Sequence, residues 1–87
     1  MTFEFDPAKS AANKAKHGIA FEEARALWAG KTISVKMPFP GEARRLVIGK
    51  IAGKHWAVVV TIRGSALRLI SVRRARKKEE QTYEQIQ

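Results

Sequence analysis

Two histidines, His17 and His55, and seventeen lysine and arginine side chains hold most of the chemistry open to this chain of 87 residues. An imidazole titrates close to neutral pH, so it can accept and return a proton there. Guanidinium groups bind phosphate oxygens bidentately, and ammonium groups bind them as point charges. His17 directly follows Lys16, while Arg63, Arg73 and Arg74 each close an apolar run. Other chemistries are excluded or disfavoured. The chain has no cysteine, which rules out thiolate nucleophiles, thiolate zinc sites and disulfides. A catalytic metal needs several converging carboxylates or histidines. Asp6 is the only aspartate, and Glu4, Glu22 and Glu23 fall mostly on separate faces, so no metal and no cofactor is expected.

The elements that must position these groups follow from local patterns. Thr2 to Phe5 alternates polar and aromatic residues, as a short strand does. Asp6 and Pro7 then form a helix start, N-cap followed by first helical residue, and Gly18 is placed to end a helix over 7–17. Its stripe of Ala8, Ala11, Ala12 and Ala15 predicts a close but small contact. A second helix is predicted by Phe21, Ala24, Leu27 and Trp28 on one face, with Glu22 and Glu23 in its first turn and Gly30 at its end. From Lys31 the period becomes two. Strands are predicted over 32–36, 45–50, 55–63 and 67–72, with a loop at Pro38 to Gly41 and turns near Ala52–Lys54 and Gly64–Ser65. Trp56, Val58, Val60 and Ile62 share one face of the long strand; the other face is apolar too until Arg63, which predicts a central strand. A basic C-terminal helix should begin near Ala75. The expected fold is a single α+β domain over 1–87: two N-terminal helices packed on a mainly antiparallel sheet, with a short C-terminal helix.

Charge is distributed unevenly along this order. The formal net charge is +9, and residues 31–78 contain thirteen basic side chains against the single acid Glu42. So much self-repulsion in one segment points to a polyanion-binding face rather than an ordinary solvated surface. The start lacks the basic-then-apolar run of a signal peptide, and no stretch nears the roughly 18 apolar residues of a membrane span. A cytoplasmic location and no membrane partner are expected.

Three N-terminal groups, Phe3-Glu4-Phe5-Asp6, Asn13 with Lys16-His17-Gly18, and Phe21-Glu22-Glu23-Ala24, resemble the N-terminal half of BrnT-type toxins. Arg63-Gly64, the run Leu67 to Ala75, Glu79 and Tyr83 resemble their C-terminal half, in matching order and spacing. Residues 31–45 show no distinctive match. The resemblance implies a RelE-like fold, an RNA-cutting toxin that arrests growth, and a ribbon-helix-helix antitoxin of the BrnA type as partner. Two positions depart from the family pattern: Ala20 and Arg76 stand where helix-capping Ser, Asp or Thr is common. Each should weaken a helix start by about 1 kcal/mol.

Metal-independent RNA cleavage uses the 2′-hydroxyl against the adjacent phosphate. It needs a base for that hydroxyl, an acid for the leaving 5′-oxygen, and cations on the phosphorane-like oxygens. The candidate catalytic residues are His17 for proton transfer and Arg63, Arg73 and Arg74 for charge. Arg73 and Arg74 should point to opposite sheet faces. Lys16, Lys50, Lys54, Arg76, Lys77 and Tyr83 are candidate RNA contacts, with Arg44, Arg45 and Lys78 as further phosphate contacts. Blander readings stand beside these: His17 as a helix-end residue favoured by the dipole, Tyr83 docking the last helix with Ile86, His55 as ordinary surface, and Trp28 and Trp56 as core. The rival function is a non-catalytic nucleic-acid-binding module. A titratable group across a cleft from Arg63 and Arg73 favours catalysis; cations spread over a flat face favour binding alone.

Overall fold

The structure, a computed structural model, describes residues 2–86. Strand β1 (Thr2–Glu4) leads into helix α1 (Pro7–His17), the four-residue helix α2 (Phe21–Ala24) and a 3-10 segment (Arg25–Ala29). Four strands follow, β2 (Thr32–Met37), β3 (Arg44–Ile51), β4 (Lys54–Arg63) and β5 (Ala66–Arg74), and then helix α3 (Lys77–Gln85). The sheet order is β1-β5-β4-β3-β2, which puts β4 in the centre as its two apolar faces require. The sheet is mixed rather than a plain meander: β2, β3, β4 and β5 pair antiparallel, and β1 joins β5 in parallel.

Local chemistry accounts for the element ends. Asp6 accepts the Ala8 N–H at 2.8 Å, Pro7 opens α1, and Gly18 closes it at φ 81°. The alanine stripe of α1 is exposed; the buried positions are Ser10 and Asn13. A polar face this short can seat only if every group finds a partner. Ser10 Oγ donates to Glu22 at 2.5 Å and accepts the Phe21 N–H at 2.9 Å, so α1 itself caps the start of α2. Ala20 therefore leaves no cap missing, and Glu23 accepts the Ala20 N–H at 2.8 Å. Arg76 is compensated in the same way, since Glu79 accepts its N–H at 2.8 Å. The expected second helix is only one α-helical turn before it tightens to 3-10 geometry, yet Phe21, Ala24 and Leu27 are all buried as the spacing predicts.

Two cores result. On one face, Phe21, Ala24 and Leu27 pack with Val47, Trp56, Val58, Val60, Leu69 and Val72, and Trp28 lies partly buried against them. On the other, Ala75, just before α3, and Tyr83 of α3 pack with Ile33, Ile48 and Ala57. The β3–β4 hairpin turns through Ala52 at φ 51° and Gly53 at φ 81°, the two positive angles a tight two-residue turn demands. In β5 the register passes from Val60↔Leu69 to Val59↔Ser71, leaving Ile70 as a bulge.

The 3-10 segment sits so close to β3 that a Cβ on Gly49 would lie 2.4 Å from Leu27 Cδ2 and 3.3 Å from Thr32 Cγ2. Leu27 is fully buried in the core cluster, so its side chain can yield only against packed neighbours. Gly49→Ala is therefore predicted to destabilise the fold by about 1–3 kcal/mol, the scale of overpacking. Urea unfolding measures this, and an unchanged midpoint would contradict the packing described.

Candidate nucleic-acid interface

The candidate residues fall into three places rather than one. His17 and Lys16 lie with Lys9, Ala12 and Asn13 along a shallow groove of about 210 Å³ between α1 and the Ile70–Ser71 stretch of β5. Lys9, Ala12, Asn13 and Lys16 are spaced to share one helix face, which puts two lysines along a single edge. β1 ends at Glu4 opposite Arg68, so beyond it the edge of β5 has no strand partner. Asn13 takes that place. Its side-chain amide donates to Val72 O at 2.9 Å and to Ile19 O at 2.8 Å, while its oxygen accepts the Val72 N–H at 3.1 Å. The bulge at Ile70 brings that residue into the same groove. His17 is half-buried, and no side-chain hydrogen bond or ion pair among the described residues engages it.

The second place is the α3 face. Arg73 donates to both oxygens of Glu79 at 2.8 and 2.9 Å, in a pair that is largely shielded from solvent. This bidentate bond raises the Arg73 pKa and holds Glu79 below the usual carboxylate range. His55 is not ordinary surface. Its side chain is 13% exposed, Nε2 lies 2.6 Å from Glu84, Nδ1 lies 3.8 Å from Glu80, and the ring packs edge-on to Tyr83. Hydrogen bonds from His55 and then Lys50 keep Glu84 low in pKa. Tyr83 is buried and donates its hydroxyl to Lys31 O at 3.0 Å; Lys31 in turn donates to the carbonyls of Tyr83 and Ile86. Tyr83 thus docks the last helix and offers no ring for a base. Ile86, expected to help, is 47% exposed. The helix expected to be basic opens with Lys77 and Lys78 but carries Glu79, Glu80 and Glu84 against Arg73, His55 and Lys50 of the sheet.

The third place is the far end of the sheet. Arg63 pairs with Ala66 in the ladder, whereas Arg73 pairs with Ala57. Those positions are six residues apart along β4, roughly 20 Å of strand. The two arginines share a face but cannot meet one phosphate. Arg63 is more than half exposed, with Glu42 at 3.9 Å as its acidic neighbour. Arg74 pairs with Trp56 in the ladder and lies over its ring at 5.4 Å, on the face opposite Arg73. Arg76, Lys77 and Lys78 stand exposed at the start of α3, and Lys54 stands exposed at the hairpin.

No group of three or more His, Cys, Asp or Glu side chains among the described residues is arranged to hold a metal ion. What the geometry offers is an imidazole flanked by lysines in one groove, and arginines held elsewhere by acids or a ring. His55 and Glu80 were missed as paired groups because their partnership spans two elements 25 residues apart, and only the docking of α3 creates it.

The Arg73–Glu79 pair yields a stability prediction. Arg73→Ala removes two charge-assisted bonds from a shielded site and is expected to cost about 1.5–3 kcal/mol. A carboxylate held low contributes stability at pH values above its ordinary 4.5, and that contribution fades as pH falls through the lowered value. The gap between wild type and Arg73→Ala should therefore narrow below pH 4.5. Urea melts at pH 7 and pH 3.5 test this, and an equal gap at both would show that the pair does not stabilise.

Compared with known proteins, residues 5–79 match a family model described as ribonuclease toxin, BrnT, of type II toxin-antitoxin system. None of the curated proteins matches the chain.

Proposed function

Because this chain belongs to the BrnT family of ribonuclease toxins of type II toxin–antitoxin systems, we propose that it is a metal-independent endoribonuclease that cuts RNA in the groove between α1 and β5. The observation that carries this placement is the contrast between the two histidines. Both nitrogens of His55 face carboxylates, whereas His17 lies in a groove with Lys9 and Lys16 and has its ring uncommitted. A proton-transfer group must be free to change partners during the reaction.

In the step proposed, the 2′-oxygen forms a bond to phosphorus and the bond to the 5′-oxygen breaks. The products are a 2′,3′-cyclic phosphate and a 5′-hydroxyl. The proton leaves the 2′-hydroxyl, the 5′-oxygen gains one, and His17 is the side chain that carries a proton in this exchange. Lys9 and Lys16 meet the phosphate oxygens, where developing negative charge is strongest. Arg63, Arg74, Arg76, Lys54 and Lys77 act on more distant phosphates, setting affinity and its salt dependence. Arg73 and Lys50, neutralised by acids of α3, support the fold instead. Toxin–antitoxin membership implies a protein antitoxin and an RNA target. The finer reading is a ribbon-helix-helix antitoxin of the BrnA type, a RelE-like scaffold and a cytoplasmic site of action.

Two measurements check the reading. His17→Gln keeps size and polarity but cannot titrate near neutral pH. Cleavage at pH 7 should fall by roughly 10²-fold or more, with affinity for uncleavable RNA and melting temperature nearly unchanged. Normal cleavage by the folded variant would move proton transfer away from His17. Cutting by the purified protein should also persist in excess EDTA, and loss of activity there, restored by magnesium, would contradict the metal-independent step.

A further inference from the structure

The alternation of β4 runs further than its cover. Val58, Val60 and Ile62 are in phase on the face that α1 and α2 pack against, yet Val58 is fully buried and Ile62 is 68% exposed. Beyond Val60, Trp28 of the 3-10 segment is the one helical residue among the described residues that lines this face. The result is a groove of about 1150 Å³ floored by Val47, Val60, Ile62 and Leu67 and walled by Trp28 and by Phe39 of the 38–43 loop. It shares no lining residue with the groove that holds His17. Its rim is cationic. Lys36, Arg44 and Arg45 line it, Arg44 lies 3.6 Å over the Phe39 ring, and Glu42, the only acid among the described lining residues, is already shared by Arg44 and Arg63.

We propose that this groove is a docking site for an acidic amphipathic helix, presented by the antitoxin. The floor is aliphatic, so it suits leucine- or valine-like side chains, and the two aromatic walls are already engaged within the chain, Trp28 edge-on to Phe3 and Phe39 under the Arg44 guanidinium. A second copy of the chain would bring another +9 charge against a cationic rim, which disfavours self-association. A helix with apolar residues at i, i+3, i+4 and i+7, flanked by Asp and Glu, satisfies both floor and rim. The proposal rests on the toxin–antitoxin reading only for the identity of the protein that carries the helix.

The probe is an 18-residue helical peptide of Leu, Ala and Glu in that spacing, with a control carrying Lys in place of every Glu. Backbone amide shifts of the full-length protein locate binding, and titration gives the affinity. The acidic peptide should shift Lys36, Arg45, Val47, Val60, Ile62 and Leu67, and the lysine control should not. Ile62→Glu should weaken binding about tenfold or more, the scale of one buried aliphatic side chain, while Ile62→Leu should retain it. Ile62 is exposed, so both variants should fold. Shifts elsewhere, equal binding of the lysine control, or an unchanged affinity in Ile62→Glu would overturn the proposal. So would concentration-dependent dimerisation lost in Ile62→Glu, or shifts of the same residues by uncleavable RNA. RNA cleavage is measured in parallel and should be the same for wild type and Ile62→Glu. Absence of cleavage in the wild type would strike the ribonuclease reading while leaving the peptide result intact.

Discussion

The side-chain amide of Asn13 is the contact on which the rest of the molecule depends. It is 8% exposed, and it answers both polar groups of Val72 and the carbonyl of Ile19. One residue thereby joins α1, the approach to α2 and the edge of β5 that β1 leaves open. Loss of that amide would leave buried backbone groups without partners, at about 1–3 kcal/mol for each. The geometry of the groove follows from it. With Asn13 fixed against Val72, Lys9 and Lys16 share its helix face, and His17 lies just past it at the helix end beside Ile70 and Ser71. Ser10 makes the companion contact, closing α1 against the start of α2.

Charge is the second organising constraint. The eight acids are few against seventeen basic side chains, and their placement decides which cations remain available to a polyanion. Glu79, Glu80 and Glu84 cluster on α3, where they engage Arg73, His55 and Lys50. Fastening α3 to a basic sheet face removes repulsion inside the domain. It also withdraws those groups from ligand binding. The exposed cations that remain lie along α1, at the hairpin, at the start of α3 and, with Lys36 and Arg63, at the far end of the sheet.

Much of this was legible in the residues. Asp6-Pro7 and Gly18 bounded α1, the alternation in β4 marked it as the central strand, and the order of motifs pointed to the family. The exposure of Ile62 was not legible, because period-two alternation reports which face a residue takes and not whether anything covers it. The burial of α1 through Ser10 and Asn13 rather than its alanines was hidden too. Polar residues go inside only when distant partners satisfy them, and the partners here are up to 59 residues away. The same holds for the arginines. Arg63 and Arg73 both end strands, but in antiparallel neighbours, where the ends of successive strands lie at opposite sides of the sheet. Their strand-end positions suggest a shared phosphate, and the topology parts them.

The central claim is that RNA meets this protein at the groove between α1 and β5. It is tested most directly by titrating the wild-type chain with a short RNA whose 2′-hydroxyls are methylated, which keeps the RNA backbone but removes the attacking nucleophile. Backbone and imidazole resonances report where the RNA sits. The account predicts the largest shifts at Lys9, Lys16, His17, Ile70 and Ser71, with the His17 ring responding at the same RNA concentrations. Shifts centred instead on Lys50, His55 and Arg73, with His17 unmoved, would contradict it and place the nucleic acid on the face that α3 covers.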